Sequence, residues 1–154
     1  MFSDIIKIYT DGSCIGNPGA GGYALLILRD TKEYLKVGGL KRTTNNAMEL
    51  TAVLEALKIL NRLSATKLTV KLYTDSQYVI KGCTEWKGNW IRNHYRTKQN
   101  KPIKNKELWE QIFPLYDKVN KAQKLELIWV KGHSGDFFND KVDKAARNEA
   151  NKFV

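Results

Sequence analysis

The pentapeptide KIYTD at residues 7–11 returns as KLYTD at residues 71–75. Each copy closes a stretch in which apolar and polar residues alternate, the pattern of a half-buried strand, and each delivers an aspartate to the end of that strand. Between the copies the period changes to 3.6: from Asn45 to Arg62, residues Leu50, Val53, Leu54, Leu57 and Leu60 fall on one stripe, as in an amphipathic helix. Strand, helix and strand in this order predict a right-handed crossover that lays the second strand parallel to an earlier one. If the two YTD strands are neighbours, Asp11 and Asp75 emerge at the same level, about 4.8 Å apart between backbones.

Working outward, strands are expected at about 5–11, 21–29 and 33–40, the last two joined through RDTKE, so that two antiparallel hairpins open the chain. Beyond Asp75, SQYVIKG reads as a short helix closed by Gly82. Leu108, Ile112, Leu115 and Val119 mark a helix beginning near Pro102 or Asn105. KLELIWV (124–130) reads as a strand, KGHSGDFF (131–138) as a glycine-flanked loop, and Asn139 onward as a final helix. With no linker and no low-complexity tract, residues 1–154 are expected to form a single α/β domain around a mixed sheet.

The glycine-rich stretch after Asp11 invites a nucleotide-loop reading, which its residues refuse. Gly16 and Gly21 have the Walker spacing, but Gly22 and Tyr23 stand where lysine and a hydroxyl residue are needed, and YALLIL follows as a strand rather than a helix. The longest apolar run, Tyr23 to Leu28, is too short to span a bilayer, and the N-terminus lacks a signal-peptide pattern. Two ungrouped cysteines form neither a disulfide framework nor a metal pair. A soluble cytoplasmic protein is expected.

Charge points to a polyanionic partner. The formal net charge is +10, and between Lys81 and Lys106 eight basic residues accompany one acid, Glu85. Trp86, Trp90 and Tyr95 are interleaved with them. Cations that neutralise phosphates and rings that pack on sugars or bases make a surface that tracks a nucleic-acid backbone. Core packing of the tryptophan pair is an equal alternative.

The acids carry the chemistry. Taken singly, each has a structural account: Asp75 as a helix N-cap, Asp11 as a turn residue, Glu49 near a capping box with Asn46, and Asp143 early in the last helix. Taken together, Asp11, Glu49, Asp75 and Asp143 cluster at strand ends and helix starts on one sheet edge, where ligands of open α/β sheets gather. Two carboxylates so close repel one another, and a divalent cation removes the conflict. No H-E-x-x-H or cysteine cluster supports zinc; hard oxygen donors favour magnesium or manganese. Four such acids beside a basic groove suggest phosphodiester hydrolysis with two metals about 3.5 to 4 Å apart.

Four stretches, YTDGSCIGNPGAGGY (9–23), TTNNAMELTAVLEAL (43–57), YTDSQYVIKGCTEW (73–86) and WVKGHSGDFFNDKVDKAA (129–146), resemble type 1 ribonuclease H and in this order cover nearly the whole chain. The resemblance implies the ribonuclease H-like fold, a five-stranded mixed sheet in order 3-2-1-4-5 flanked by helices. It implies hydrolysis of the RNA strand of an RNA/DNA hybrid by a two-metal-ion mechanism, leaving 5′-phosphate and 3′-hydroxyl ends. The metal-binding acids of the family fall on Asp11, Glu49, Asp75 and Asp143, with two Mg2+ ions, or Mn2+, as the cofactors, and its catalytic histidine on His133. Cys14, Asn17, Asn45, Asn46 and Gln77 match contacts to the RNA strand. Arg42, Thr44 and Asn105 match a pocket for a DNA-strand phosphate, and Trp86 and Trp90 match DNA-strand contacts on a basic protrusion. Asp140 stands where many relatives carry glutamate, and Ala145 replaces a common leucine.

Two other readings share this fold. A non-cleaving hybrid-binding module predicts the loss of at least one of the four carboxylates, and all are present. The ribonuclease H domain of a reverse transcriptase would usually sit within a longer chain. A methionine a few residues ahead of the first strand gives the expectation of a free-standing protein, a monomer whose partner is the hybrid duplex.

Overall fold

The computed structural model of the chain describes residues 4–63 and 67–154. Strands β1 (Ile5–Ile15), β2 (Gly19–Arg29) and β3 (Lys32–Thr43) run antiparallel to their neighbours. Helix α1 (Asn45–Arg62) then crosses to β4 (Thr69–Thr74), which lies parallel to β1 with Ile5 opposite Thr69 and Thr10 opposite Thr74. Parallel pairing of β5 (Lys124–Trp129) with β4 completes a five-stranded sheet in the order β3-β2-β1-β4-β5. This is the order that the resemblance implied.

The repeated pentapeptide is legible in the register. Tyr9 faces Tyr73 across the ladder, and their rings stack with centroids 4.5 Å apart and planes 10° from parallel. Ile8 and Leu72, also opposite one another, are fully buried on the other face. Alternation thus sends each strand's side chains into two cores. The larger lies beneath α1 and helix α4 (Lys106–Ala122), and includes Ile8, Leu50, Val53, Leu57, Leu72, Trp109 and Phe113. The smaller, built on Tyr9, Ala24, Leu26, Val142 and Ala146, is closed by helix α5 (Phe137–Lys152).

Three boundaries differ from the sequence expectations. The first hairpin is longer than alternation indicated: β1 continues through Gly12, Ser13, Cys14 and Ile15, paired with Tyr23, Gly22, Gly21 and Ala20, so only residues 16–18 turn. Asp11 therefore lies within β1, at the level where its neighbour β4 ends. Helix α5 starts at Phe137 rather than Asn139 because Asp136 is the N-cap, its carboxylate accepting from the Asn139 N–H at 3.0 Å.

Gly82 does not close the short helix. Helix α2 (Gln77–Lys81) passes through a π-helical turn (Gly82–Trp86) into α3 (Lys87–Arg92), and Gly82 has ordinary right-handed angles (φ −58°, ψ −47°). Close approach is what requires the glycine: a Cβ at position 82 would lie 2.1 Å from Cη2 of Trp109, a fully buried ring. Gly82→Ala is accordingly expected to cost about 1–3 kcal/mol by overpacking and to lower the melting temperature by several degrees. An unchanged thermal melt would mean that the ring moves aside without penalty.

Candidate active site

Three elements bring acids to one point. Asp11 comes from β1, Asp75 follows the last residue of β4, and Glu49 comes from the second turn of α1. Each of the three offers one oxygen within 4.8 Å of the others. The close approach of α1 to β1 depends on Gly12, where a Cβ would stand 2.3 Å from the backbone nitrogen of Glu49. The capping roles that could have occupied these acids belong to other residues. Thr44 caps α1 by accepting from the Ala47 N–H at 3.1 Å, and Ser76 caps α2 by accepting from the Val79 N–H at 3.2 Å. Asp75 and Glu49 are thereby free of the local duties that sequence alone allowed them.

The environment is hostile to three negative charges. Asp11 and Glu49 are 2% and 3% exposed, and Asp11 Oδ2 and Glu49 Oε2 have no hydrogen-bond partner among the described residues. Burial pushes the Asp11 carboxyl up to about 8, and the charges of Asp75 and Asp143 add to the rise, against a bond accepted from the Gly12 N–H at 2.9 Å. Glu49 is raised well above its usual range by burial and then by Asp11. Asp75 is raised by burial, with Asp143 contributing. Orphaned oxygens from hard donors, each disfavouring its own ionisation, fit a divalent metal: the cation supplies both the missing partner and the missing charge.

A cavity of about 510 Å³ opens over this triad and is lined by Asp11, Asn45, Asn46, Glu49, Asp75, Gln77, Tyr78, His133, Asp143 and Arg147, among others. Asp143, expected as a fourth ligand, lines the cavity without joining the 4.8 Å group. Its Oδ2 accepts from Arg147 Nε at 3.1 Å and lies 4.0 Å from His133 Nδ1. His133 projects from the loop before α5 with its side chain 81% exposed. Trp129 Nε1 donates to the Asp75 carbonyl at 3.2 Å.

The expected substrate contacts divide between two places. Asn45, Asn46 and Gln77 line the acid cavity. Asn17, Thr44 and Asn105 line an adjoining cavity with Asn45, Asn46 and Lys104, and Asn17 Oδ1 accepts from the Asn45 N–H at 2.9 Å. Arg42 is exposed on β3 and lines neither. Cys14 also lines neither; its thiol donates toward the carbonyls of Thr43 (3.3 Å) and Gly19 (3.5 Å). Tyr78 links the two cavities, its hydroxyl accepting from Asn105 Nδ2 at 3.2 Å and Trp109 Nε1 at 3.0 Å.

Trp86 and Trp90 pack as the core reading expects, without being fully buried. They form a row of rings, Tyr78 to Trp86 (6.0 Å), Trp86 to Trp90 (5.4 Å) and Trp90 to Trp109 (5.4 Å), that roots the basic protrusion in the main core. Both remain half-buried, so each keeps an outer surface. One cation of the segment is withdrawn from it: Lys87 pairs with Asp117 and sits over the Tyr116 ring. Arg92, Arg96 and Lys98 line a shallow depression farther out.

Sequence reasoning did not single out Arg147, Tyr78 or Trp129. Arg147 had a readable signal, the i, i+4 spacing from Asp143 on a helix. The others reach the site only through tertiary packing.

The chain matches the family model described as RNase H over residues 3–151. It is 44% identical over 146 residues to a Ribonuclease H of Thiobacillus denitrificans, an alignment spanning 95% of this chain and 93% of that protein. LC9-RNase H1, a type 1 RNase H with the type 2 active-site motif, has a structure similar to this one with TM-score 0.80 and 28% identity, over 97% of this chain and 74% of that one. LC11-RNase H1, solved in complex with an RNA/DNA hybrid, shares the fold with TM-score 0.65 and 22% identity, over 96% and 97% of the two chains.

The dependence on Gly12 is open to test. Gly12→Ala is expected to displace α1 from β1, to destabilise the fold by about 1–3 kcal/mol and to remove the thermal stabilisation given by Mn2+. Melting curves with and without the ion measure both effects, and a retained Mn2+ response would mean that Glu49 reaches the site by another route.

Proposed function

The chain belongs to the type 1 ribonuclease H family, a family of metal-dependent hydrolases, and from that premise we propose that it cleaves the RNA strand of RNA/DNA hybrids endonucleolytically, leaving 5′-phosphate and 3′-hydroxyl ends. The observation that carries this reading is the set Asp11, Glu49 and Asp75, the first two buried with orphaned oxygens, beneath an open polar cavity. Asp143 lines the same cavity and is the fourth ligand in the proposal. Two Mg2+ ions held by these acids, or Mn2+ in their place, would supply charge neutralisation at the scissile phosphate and activation of the attacking water.

The remaining roles fall to the chain's own groups. Asn45, Asn46 and Gln77 present neutral donors and acceptors at the cavity, the chemistry needed to sense a ribose 2′-hydroxyl, and Asn17 and Cys14 extend this contact along the RNA strand. Thr44, Asn105 and Lys104 offer hydroxyl, amide and ammonium donors for a DNA-strand phosphate, with Arg42 guiding its approach. The half-exposed faces of Trp86 and Trp90 pack on the DNA strand, while Arg92, Arg96 and Lys98 neutralise phosphates beyond it. His133, exposed and 4.0 Å from Asp143, moves a proton at the departing ribose 3′-oxygen or helps the product leave. LC11-RNase H1, of the same fold, is known with a hybrid bound.

In this reading the protein acts as a single-domain monomer in the cytoplasm. Among the described residues no helix is long and apolar enough to cross a membrane, and Cys14 and Cys83 are both free thiols.

Labelled RNA/DNA hybrid, duplex RNA, duplex DNA and single-stranded RNA, each with and without Mg2+ or Mn2+, give the decisive comparison. Cleavage is expected for the hybrid alone and only with metal; equal cleavage of single-stranded RNA would discard the hybrid reading. Asp11→Asn is expected to reduce hybrid cleavage by at least about a thousandfold with hybrid affinity retained, whereas His133→Ala slows turnover by about ten- to a hundredfold. Replacing Arg92, Arg96 and Lys98 together with glutamine should reduce the slope of log affinity against log salt by about two to three. An unaltered slope would remove the protrusion from the binding surface.

A further inference from the structure

We propose that Arg147 is the internal counter-ion of Asp143, a positioning residue that orients this carboxylate and limits how tightly the cavity takes divalent metal; the inference rests on the metal-site reading above. One oxygen of Asp143, Oδ2, receives both Arg147 Nε and Arg147 Nη2, each at 3.1 Å, one turn along α5. The pair is asymmetrically placed. The Asp143 side chain is 16% exposed and that of Arg147 59%, so Arg147 is the solvent-facing member of the pair. Among the described residues, Asp11, Glu49 and Asp75 have no ion pair at all, which makes Asp143 the acid of the four that already carries its own cation.

Two opposite consequences follow for a metal that approaches Asp143. The guanidinium orients the carboxylate, which favours binding, and it repels a second cation, which opposes it. Magnitudes decide between them. Holding a side chain by a solvent-accessible i, i+4 pair is worth about a factor of two, whereas a unit charge roughly 6 to 10 Å from a divalent ion, screened as in water, weakens its binding by roughly three- to tenfold. Repulsion wins, and Arg147 restrains metal loading. Its position suits this role, since Arg147 lines the acid cavity and also the neighbouring depression formed with His133, Gly135, Asp140 and Lys144, and so stands between the two.

The test is Mn2+ binding to the whole protein without nucleic acid, read from the electron paramagnetic resonance of free Mn2+. Arg147→Gln and Arg147→Met are expected to bind Mn2+ roughly three- to tenfold more tightly than the parent protein, while Arg147→Lys, which keeps the charge, stays within about twofold. Lys121→Gln, on the last turn of α4, removes a charge elsewhere and controls for the general loss of positive potential. Binding by Arg147→Gln and Arg147→Met that equals that of Lys121→Gln, or that is weaker than the parent's, would overturn the proposal and leave the metal site itself standing. A parent protein that binds no Mn2+ would overturn both.

Discussion

Mutual repulsion among closely held, largely buried carboxylates is the constraint around which this molecule is arranged. Asp11, Glu49 and Asp75 are held within 4.8 Å of one another in surroundings that raise the proton affinity of each. Such an arrangement persists only if the rest of the structure over-determines it. Over-determination is visible in the register of β1 with β4, which brings two aspartates to one level, and in the absence of a side chain at Gly12, which lets α1 deliver Glu49. It is visible again in the assignment of capping to Thr44, Ser76 and Asp136, which leaves the acids to the site.

The two cores serve this arrangement differently. Beneath α1 and α4, fully buried Leu50, Leu57, Leu72, Trp109 and Ile112 fix α1 against the sheet and so fix the depth of Glu49. On the other face the Tyr9–Tyr73 stack, with Phe138 tilted against Tyr9 at 5.4 Å, seats the start of α5 and sets the height at which Asp143 enters the cavity. The protrusion is rooted in the first core through Trp86, Trp90 and Trp109. A surface rich in cations can then stand away from the sheet without a core of its own, because its aromatic residues borrow one.

Much of this was legible in the chain itself. The echo of KIYTD in KLYTD identified the two central strands, and the 3.6-residue period of 45–62 identified the crossover between them, because both patterns reflect burial on fixed faces. Sheet order and the four acids followed from long motifs. What escaped were features set by packing at a distance. Gly82 reads locally as a helix end, and only the Trp109 ring pressed against it explains why a glycine stands inside a continuing helix. The Gly12–Ile15 stretch reads as loop by composition, yet it is strand because β2 offers a complete partner. Asp75 reads as a cap until Ser76 is seen to take that role. Asp143 stands outside the triad and is bonded by Arg147, whose spacing was readable but whose bond was not.

If carboxylate repulsion relieved by a divalent cation is the organising fact, protein stability must record it. Asp11 has a folded-state pKa of about 8 against an ordinary aspartate value of 3.8, so its contribution to stability is complete below the lower value and is lost as pH rises through the higher one. Raised values at Glu49 and Asp75 act in the same sense. A metal ion, which binds the ionised acids, restores what is lost. The most direct measurement is the melting temperature between pH 5 and pH 9 in chelator and in Mn2+. The account predicts a gap between the two curves that widens with pH and disappears in Asp11→Asn; a gap that is absent, or that does not change with pH, would contradict it.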